Sequence, residues 1–494
     1  MKDRIFDTRV QLLKYKVLKE VINCAYDENF DNIYVDAPKK ILPGPKSELR
    51  CCIYKGRAVL QERISLAMGG DKNPNHVMEV MDIACDECPA QGHFVTDLCR
   101  SCISHMCMES CPRDAIYISK KNKAKIDKTK CIECGKCQKA CPYGAIMNSV
   151  RPCVRACKVG AIEMNEQDKA VINYDKCVSC GQCGYKCPFG AIADKSYVKE
   201  LVGILKHAVA NGEKVFAVIA PAIVSQFKYA KIGQIITGMK YLGFHEVVEA
   251  ALGADIVLEK EVHEFGEREI MTTSCCPAYV SLVEKHFPTL KHVMSTSRSP
   301  MLETALIIKE MHPGAKVVFI GPCTAKKYEF KRPEHDGIID CVITFEELQA
   351  FLDARQIDIA DLEEGKLDNA SYYGRIFAKS SGIAQGFKDI AQKNGVTKEI
   401  KPLVCNGLEE AKVAFLKLRA GRLDANLVEV MACEGGCVNG SACLHRNPKR
   451  ELDVEVYAKK AKESDIDKSV SLYETVYGKK IEDEHHEKHS ETSK

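Results

Sequence analysis

At 494 residues the chain has room for about three domains, and 46% hydrophobic with 28% charged residues allows a sizeable core and excludes global disorder. Seventy-one basic against 68 acidic residues leave a formal charge of +3, which points to neither nucleic acid nor a membrane surface as partner. No apolar run reaches a membrane span and the start, MKDRIFDTRVQLLKYK, has no signal-peptide pattern, so a cytoplasmic location is expected.

The unusual quantity is cysteine, at 27 residues. A disulfide framework belongs to short secreted chains. Here the chain is long, the count is odd and the spacing is tight and repeated, so metal clusters are expected instead.

Four stretches follow in chain order. Residues 1–80 combine a helical pattern over Val10 to Tyr26 with a turn-rich ILPGPKSE at 41–48, and no role attaches to them. Residues 81–195 hold sixteen of the cysteines and a repeat: CPRDAI at 111–116, CPYGAI at 141–146, CKVGAI at 157–162 and CPFGAI at 187–192. Residues 197–475 read as a large α/β domain, with strands such as VFAVIAP (215–221) and KVVFIGP (316–322) and an amphipathic helix around 277–287. Residues 476–494 form a polar tail.

Within the second stretch, Cys131, Cys134, Cys137 and Cys141 before Pro142 give C-x2-C-x2-C-x3-C-P, and Cys177, Cys180, Cys183 and Cys187 before Pro188 repeat it. Three such thiolates converge on one [4Fe–4S] cube while the fourth ligates a neighbouring cube. Cys99, Cys102, Cys107 and Cys111 form a copy with two extra residues before the third cysteine. Cys153 and Cys157 read as a copy that lost its first two, and Cys85 and Cys88 as a spare pair upstream. Sixteen thiols suffice for four cubes. Crossed ligation joins Cys99, Cys102 and Cys107 to Cys141, Cys131, Cys134 and Cys137 to Cys111, and Cys177, Cys180 and Cys183 to Cys157; Cys85, Cys88, Cys153 and Cys187 remain for the fourth. The competing reading of the irregular part is a zinc site on Cys85, Cys88, Cys99 and Cys102. Cubes in a row conduct electrons, so the domain that follows should contain a redox site.

Its cysteines have other spacings: Cys275 and Cys276 in TTSCCPAYV, Cys323 in IGPCTAKKYE, Cys433 and Cys437 in EVMACEGGCVNG. Each group follows an apolar segment, which puts the thiols on loops at the ends of core elements, where sites are built.

These three segments are similar to the signatures of [FeFe]-hydrogenases, and the likeness spans about residues 85–475. It implies an α+β ferredoxin-like iron–sulfur region followed by a large α/β catalytic domain. It implies an H-cluster, a [4Fe–4S] cube joined to a two-iron unit carrying CO, cyanide and azadithiolate, beside two to four accessory cubes. By position, Cys276, Cys323, Cys433 and Cys437 match the cube ligands, with Cys437 as the bridge. Cys275 matches the proton-passing thiol, Lys326 the cyanide partner and Met431 the methionine packed on the two-iron unit; Ala220, Pro221 and Pro300 match other residues around it. The family's proton path runs from the cysteine through a glutamate, a serine and a second glutamate to an arginine, roles that fall in that order on Glu264, Ser295, Glu261 and Arg268.

The chain departs from the family pattern at Gly321, usually methionine, at Ala222, usually serine, and at Met301, usually glutamine. FAKSSGIAQ at 377–385 and NGSACL after the third segment also differ, which marks a divergent branch. The implied activity is the interconversion of H2 with protons and electrons, with ferredoxin or a similar carrier as electron partner and maturation proteins supplying the two-iron unit. The rivals are an H2-sensing hydrogenase of low turnover, a non-catalytic hydrogenase-like protein of the iron–sulfur assembly kind, and a pure electron carrier. A domain of some 300 residues, far larger than a carrier needs, tells against the last.

Overall fold

The computed structural model describes residues 6–47, 49–70, 72–89, 91–367, 369–447, 449–462 and 466–481. Of the polar tail expected over 476–494, residues 482–494 lie outside the described residues.

The C-terminal domain is built on two parallel sheets. The first has strand order Glu246–Glu249, Val215–Ile219, Lys316–Gly321, Cys341–Thr344. Its Val215–Ile219 and Cys341–Thr344 strands are buried throughout, which is why they read as apolar runs without alternation. The second has the order Met271–Thr272, Leu427–Met431, Pro402–Asn406. Both expected strands form at the positions read from sequence, and the 277–287 helix is Pro277–His286. The buried helix Ala250–Gly266 packs against Pro300–Met311, Tyr372–Ile376, Gly382–Lys393 and Asp467–Tyr477.

The segment without an assigned role is three helices, Arg9–Asp27, Ile33–Ile41 and Ile53–Ala67. Thr8 caps the first by accepting from the Gln11 amide. Val17, Leu18, Val21 and Ile22, spaced along one face, merge into the same core as the four-stranded sheet. The region is therefore part of the catalytic body. Buried ions join it to the rest: Lys14 reaches Asp194 at 2.5 Å and Glu346 at 2.7 Å, and Lys327 reaches Asp194 at 2.8 Å and Glu347 at 2.7 Å.

The iron–sulfur region is two ferredoxin-like modules, one nested inside the other. The inner module closes by pairing Gly92–Val95 with Ile146–Ser149, and holds the hairpin Ile116–Ile118/Ala124–Ile126. The outer module closes by pairing Met78–Val80 with Ile192–Asp194 and holds the hairpin Ile162–Met164/Ala170–Ile172. The boundary expected after residue 80 thus falls slightly too late, because Met78–Val80 belongs to the outer module's closing pair.

The nesting corrects the reading of Cys153 and Cys157 as a copy that lost two cysteines. Their missing partners are Cys85 and Cys88, separated from them by the whole inner module. The hydrogen bonds show the equivalence: the Ala124 amide donates to Cys99 Sγ at 3.4 Å in one module, and the Ala170 amide to Cys85 Sγ at 3.3 Å in the other. Gly92 pairs directly with Ser149, so the inner module enters and leaves at one point and can be inserted without distorting its host.

The Ala-Ile repeat also has a physical reason. In all four copies the alanine amide donates to the sulfur four residues upstream: Ala115 to Cys111 at 3.3 Å, Ala145 to Cys141 at 3.4 Å, Ala161 to Cys157 at 3.1 Å and Ala191 to Cys187 at 3.3 Å. The isoleucine then starts a strand and is buried.

Candidate functional site

The carboxyl ends of both parallel sheets face one cavity, the position where open α/β sheets bind ligands. Ala220 and Pro221 follow Val215–Ile219, and Pro322 and Cys323 follow Lys316–Gly321. Cys275 and Cys276 come shortly after Met271–Thr272, and Cys433 shortly after Leu427–Met431. Cys276 and Cys323 each sit at the N-cap of the following helix.

These loops surround a cavity lined by Cys275, Cys276, Cys323, Cys433, Cys437 and Lys326, with Met431, Ala220, Pro221 and Pro300 in the wall. The rest of the lining is apolar. Burial pushes the Cys323 and Cys433 thiols up to about 12, with neighbouring sulfurs adding to the effect, and raises Cys437 well above the ordinary thiol range. Several buried thiols packed together cannot ionise against one another without a cation among them. Gly436, at φ +87°, lets the backbone between Cys433 and Cys437 pass the main chain of Ala378 and Ser380, which a Cβ would meet at 2.7 Å.

The departures at Gly321 and Met301 have structural counterparts. A Cβ at residue 321 would meet the Phe319 ring at 2.5 Å, and that ring lines the cavity. Met301 lines it too, so the wall is apolar where the family pattern has a glutamine.

Lys326 is the single cation in the wall. Burial works against its charge, but Glu329 at 2.7 Å overrides this, and its pKa stands above the usual lysine value. Glu329 was not singled out in the sequence, although its place three residues along the same helix is the spacing of a helical ion pair.

From Cys275 a chain of polar groups leads outward. Burial drives the Cys275 thiol well up, and the next influence on it is Glu261. Glu261 Oε1 accepts from the Ser274 amide at 3.2 Å, while Oε2 has no partner among the described residues. Burial, reinforced by Glu264, raises Glu261 to about 8, so it is a neutral acid at pH 7. Ser295 acts on Glu261, favouring its charged form, and donates to Glu264 Oε2 at 2.9 Å. Glu264 pairs with Arg268 at 2.5 Å, whose side chain is partly exposed.

The order of the two glutamates is thus the reverse of the one expected. Glu261 is the group beside Cys275, and Glu264 lies outside Ser295. The reason is helical: Arg268 sits four residues after Glu264 on the same face, which ties Glu264 to the outer end.

The accessory cysteines gather as the crossed pairing expects. Cys99, Cys102, Cys107 and Cys141 line one small cavity, and Cys111, Cys131, Cys134 and Cys137 another. Cys177, Cys180 and Cys157 all act electrostatically on Cys183, and Cys187, Cys85 and Cys88 on Cys153. Cys85 and Cys88 are therefore grouped apart from Cys99 and Cys102, which removes the zinc reading.

The outer module docks directly on the site. Cys180 lines the main cavity, Gln182 Nε2 lies 3.5 Å from Cys433 Sγ, and Thr324 donates to the Ser179 carbonyl at 2.8 Å. Of the cysteines without an assigned role, Cys341, Cys405 and Cys443 are buried, Cys24 is half-buried, and Cys51 and Cys52 are exposed. Cys443, close behind the third segment, donates to the Val438 carbonyl at 3.2 Å.

Residues 213–441 match the family described as iron only hydrogenase large subunit, C-terminal domain, and residues 98–145 and 151–191 match the 4Fe-4S dicluster domain. The periplasmic [Fe] hydrogenase large subunit of Nitratidesulfovibrio vulgaris is 30% identical over 377 residues, covering 64% of this chain and 85% of that protein. The chain belongs to the iron-only hydrogenase family.

Iron hydrogenase 1 of Clostridium pasteurianum is 29% identical over 446 residues, with 76% of this chain and 77% of that protein covered. A solved [FeFe]-hydrogenase, a HydA1 variant from Chlamydomonas reinhardtii, aligns at TM-score 0.45 and 22% identity over 55% of this chain and 91% of that one. Cytosolic Fe-S cluster assembly factor narfl of Danio rerio is also similar, at 25% identity over 50% of this chain and 77% of that protein. In this chain a ferredoxin-like iron–sulfur region precedes an H-cluster-type domain. Among the described residues no helix is long and apolar enough to cross a membrane.

The donor set suits the H-cluster. Four clustered thiols meet the need of a cube, an apolar wall suits CO ligands, and one lysine offers a charge-assisted hydrogen bond to an anionic ligand. Cys276, Cys323, Cys433 and Cys437 would hold it.

Proposed function

We propose that this iron-only hydrogenase family member interconverts H2 with two protons and two electrons in the cytoplasm, exchanging electrons with ferredoxin or a similar carrier. When bound, the H-cluster supplies the open iron position and the bridging amine at which H2 is formed or split heterolytically. The chain's own residues do the rest. Cys275 holds a proton at Sγ at the cavity wall, and Glu261, neutral at pH 7, replenishes it. Ser295 relays between Glu261 and Glu264, and Arg268 keeps Glu264 oriented at the outer end. Lys326 fixes the cofactor's orientation, and the apolar wall excludes water, so that proton traffic is confined to the Cys275 line.

Electrons would travel from the inner module through the quartet of Cys85, Cys88, Cys153 and Cys187, then through that of Cys157, Cys177, Cys180 and Cys183, to Cys433 and its neighbours. Maturation proteins would supply the two-iron unit.

The observation that carries the catalytic reading is a buried polar row behind Cys275: Glu261 acts on that thiol electrostatically, Ser295 acts on Glu261 and donates to Glu264, and Glu264 pairs with Arg268. The second reading is a non-catalytic assembly role, favoured by the likeness to proteins named as assembly factors in Danio rerio and Aedes aegypti, the latter 26% identical over 49% of this chain. Such a role has no use for a buried proton line ending at a thiol. The infrared spectrum of the anaerobically matured protein separates the two: CO and cyanide bands together with H2 turnover support the hydrogenase, and their absence after supply of the two-iron precursor leaves the assembly role.

A further inference from the structure

The four copies of the repeat differ in what faces the turn after the last cysteine. At Gly144 and Gly160 an added Cβ would meet nothing within 4 Å. At the corresponding Gly190 it would meet Arg63 Nη2 at 2.1 Å and Val10 at 2.5 Å. An arginine from the N-terminal helices thus fills a seat at this turn that stays open at the other two glycines.

Arg63 is buried, at 5% exposure, and its Nη2 donates to the Gly190 carbonyl at 2.7 Å and the Phe189 carbonyl at 3.4 Å. Its Nε has no partner among the described residues. The carboxylate lining the same small cavity, Asp194, is already held by Lys14 at 2.5 Å and Lys327 at 2.8 Å. The other arginines near this quartet are neutralised, Arg50 by Asp86 and Glu87 at 3.5 and 3.8 Å, and Arg151 by Asp168 at 2.6 Å. The favourable electrostatic partner of Arg63 is Cys187.

A buried cation normally costs more than it returns unless an anion compensates it. A cube bound by four thiolates is an anion, more negative by one charge when reduced. We propose that Arg63 is the countercharge of the cube at Cys85, Cys88, Cys153 and Cys187, and raises the reduction potential of that cube alone. The N-terminal helices then have a second task besides packing: they set the energy of one step in the wire. The inference rests on the four-cube reading.

The experiment is an anaerobic redox titration of the full-length holoprotein followed by electron paramagnetic resonance, with iron content measured in parallel. In Arg63→Met one of the four cube signals should titrate lower, with its reduced-to-oxidised ratio at a fixed potential falling about tenfold, which is 59 mV for one electron. The other three should not move. Arg63→Lys, which keeps a cation at the turn, should restore most of the potential. If Arg63→Met does not assemble, Gly190→Ala, which displaces the guanidinium, and Arg63→Lys must both lower the same signal by a smaller amount. Unchanged potentials in variants with full iron content would overturn the role of Arg63. A wild-type protein lacking a fourth cube signal would overturn the four-cube reading itself.

Discussion

Ser295 Oγ lies 2.9 Å from Glu264 Oε2 and donates to it, and the same side chain acts on the buried acid Glu261. One side chain therefore acts on both an inner acid, neutral at pH 7, and an outer carboxylate tied to Arg268. Ser295→Ala removes this link without adding bulk. Turnover should fall by about 10² or more, the usual worth of a proton-transfer group. Iron content and the infrared spectrum should stay as in the unmodified protein, measured on the same preparation.

Cys275→Ala should act at the inner end of the same line. Infrared bands should persist, because Cys276, Cys323, Cys433 and Cys437 remain to hold the cofactor. H2 evolution should drop to a small residue. Retained activity would remove Cys275 from the proton path.

Glu261→Gln should change the pH dependence of stability. In the folded chain Glu261 holds its proton up to about 8, whereas the unfolded carboxyl releases it near 4.5. Between those values the folded state binds more protons, so this group's contribution is full below pH 4.5 and is lost as pH rises to 8. The variant should show a smaller decline of unfolding midpoint from pH 5 to pH 8 under anaerobic conditions. Some slope should persist, since burial also raises Glu429, to about 7.

Excising residues 93–148 and closing Gly92 to Ser149 with a short turn should leave a folded hydrogenase domain. The two ends are cross-strand partners, so the gap is small. Iron should fall from about twenty-two to about fourteen per chain, the loss of two cubes. Activity with a small dye as electron donor should persist, while activity with a protein carrier falls. Loss of the outer module's two cubes as well would show that the nested halves are not independent.

Lys327→Met should destabilise the junction of the N-terminal helices, the outer module and the catalytic domain. Lys327 is fully buried between Asp194 and Glu347, and removing it strips Glu347 of its cation and leaves Asp194 to Lys14 alone. A cost of about 3–5 kcal/mol is expected for breaking such a buried pair, read from denaturant unfolding. Lys401→Met, at a surface pair 3.7 Å from Glu399, should change little.

Cysteine spacing alone pointed to iron–sulfur clusters in this protein. C-x2-C-x2-C-x3-C is local geometry, and a tight loop presents its thiols together whatever surrounds it, so the cubes and their crossed ligands were legible before any fold was known. The three segments of the C-terminal domain were legible through their similarity to hydrogenase signatures, each being a short loop with its cysteine at a fixed offset. Only the tertiary structure decided what depends on distant parts of the chain meeting. It showed why Cys85 and Cys88 go with Cys153 and not into a zinc site with Cys99 and Cys102: a whole module is inserted between them, and strand pairing at Gly92 and Ser149 makes that insertion invisible to the host. It reversed Glu261 and Glu264, because which carboxylate faces Cys275 is set by the rotation of the Ala250–Gly266 helix in its bed and not by sequence order. It also brought Arg63 to Gly190, a pairing 127 residues apart that no local pattern encodes, since burial of a charge is a property of the packed core.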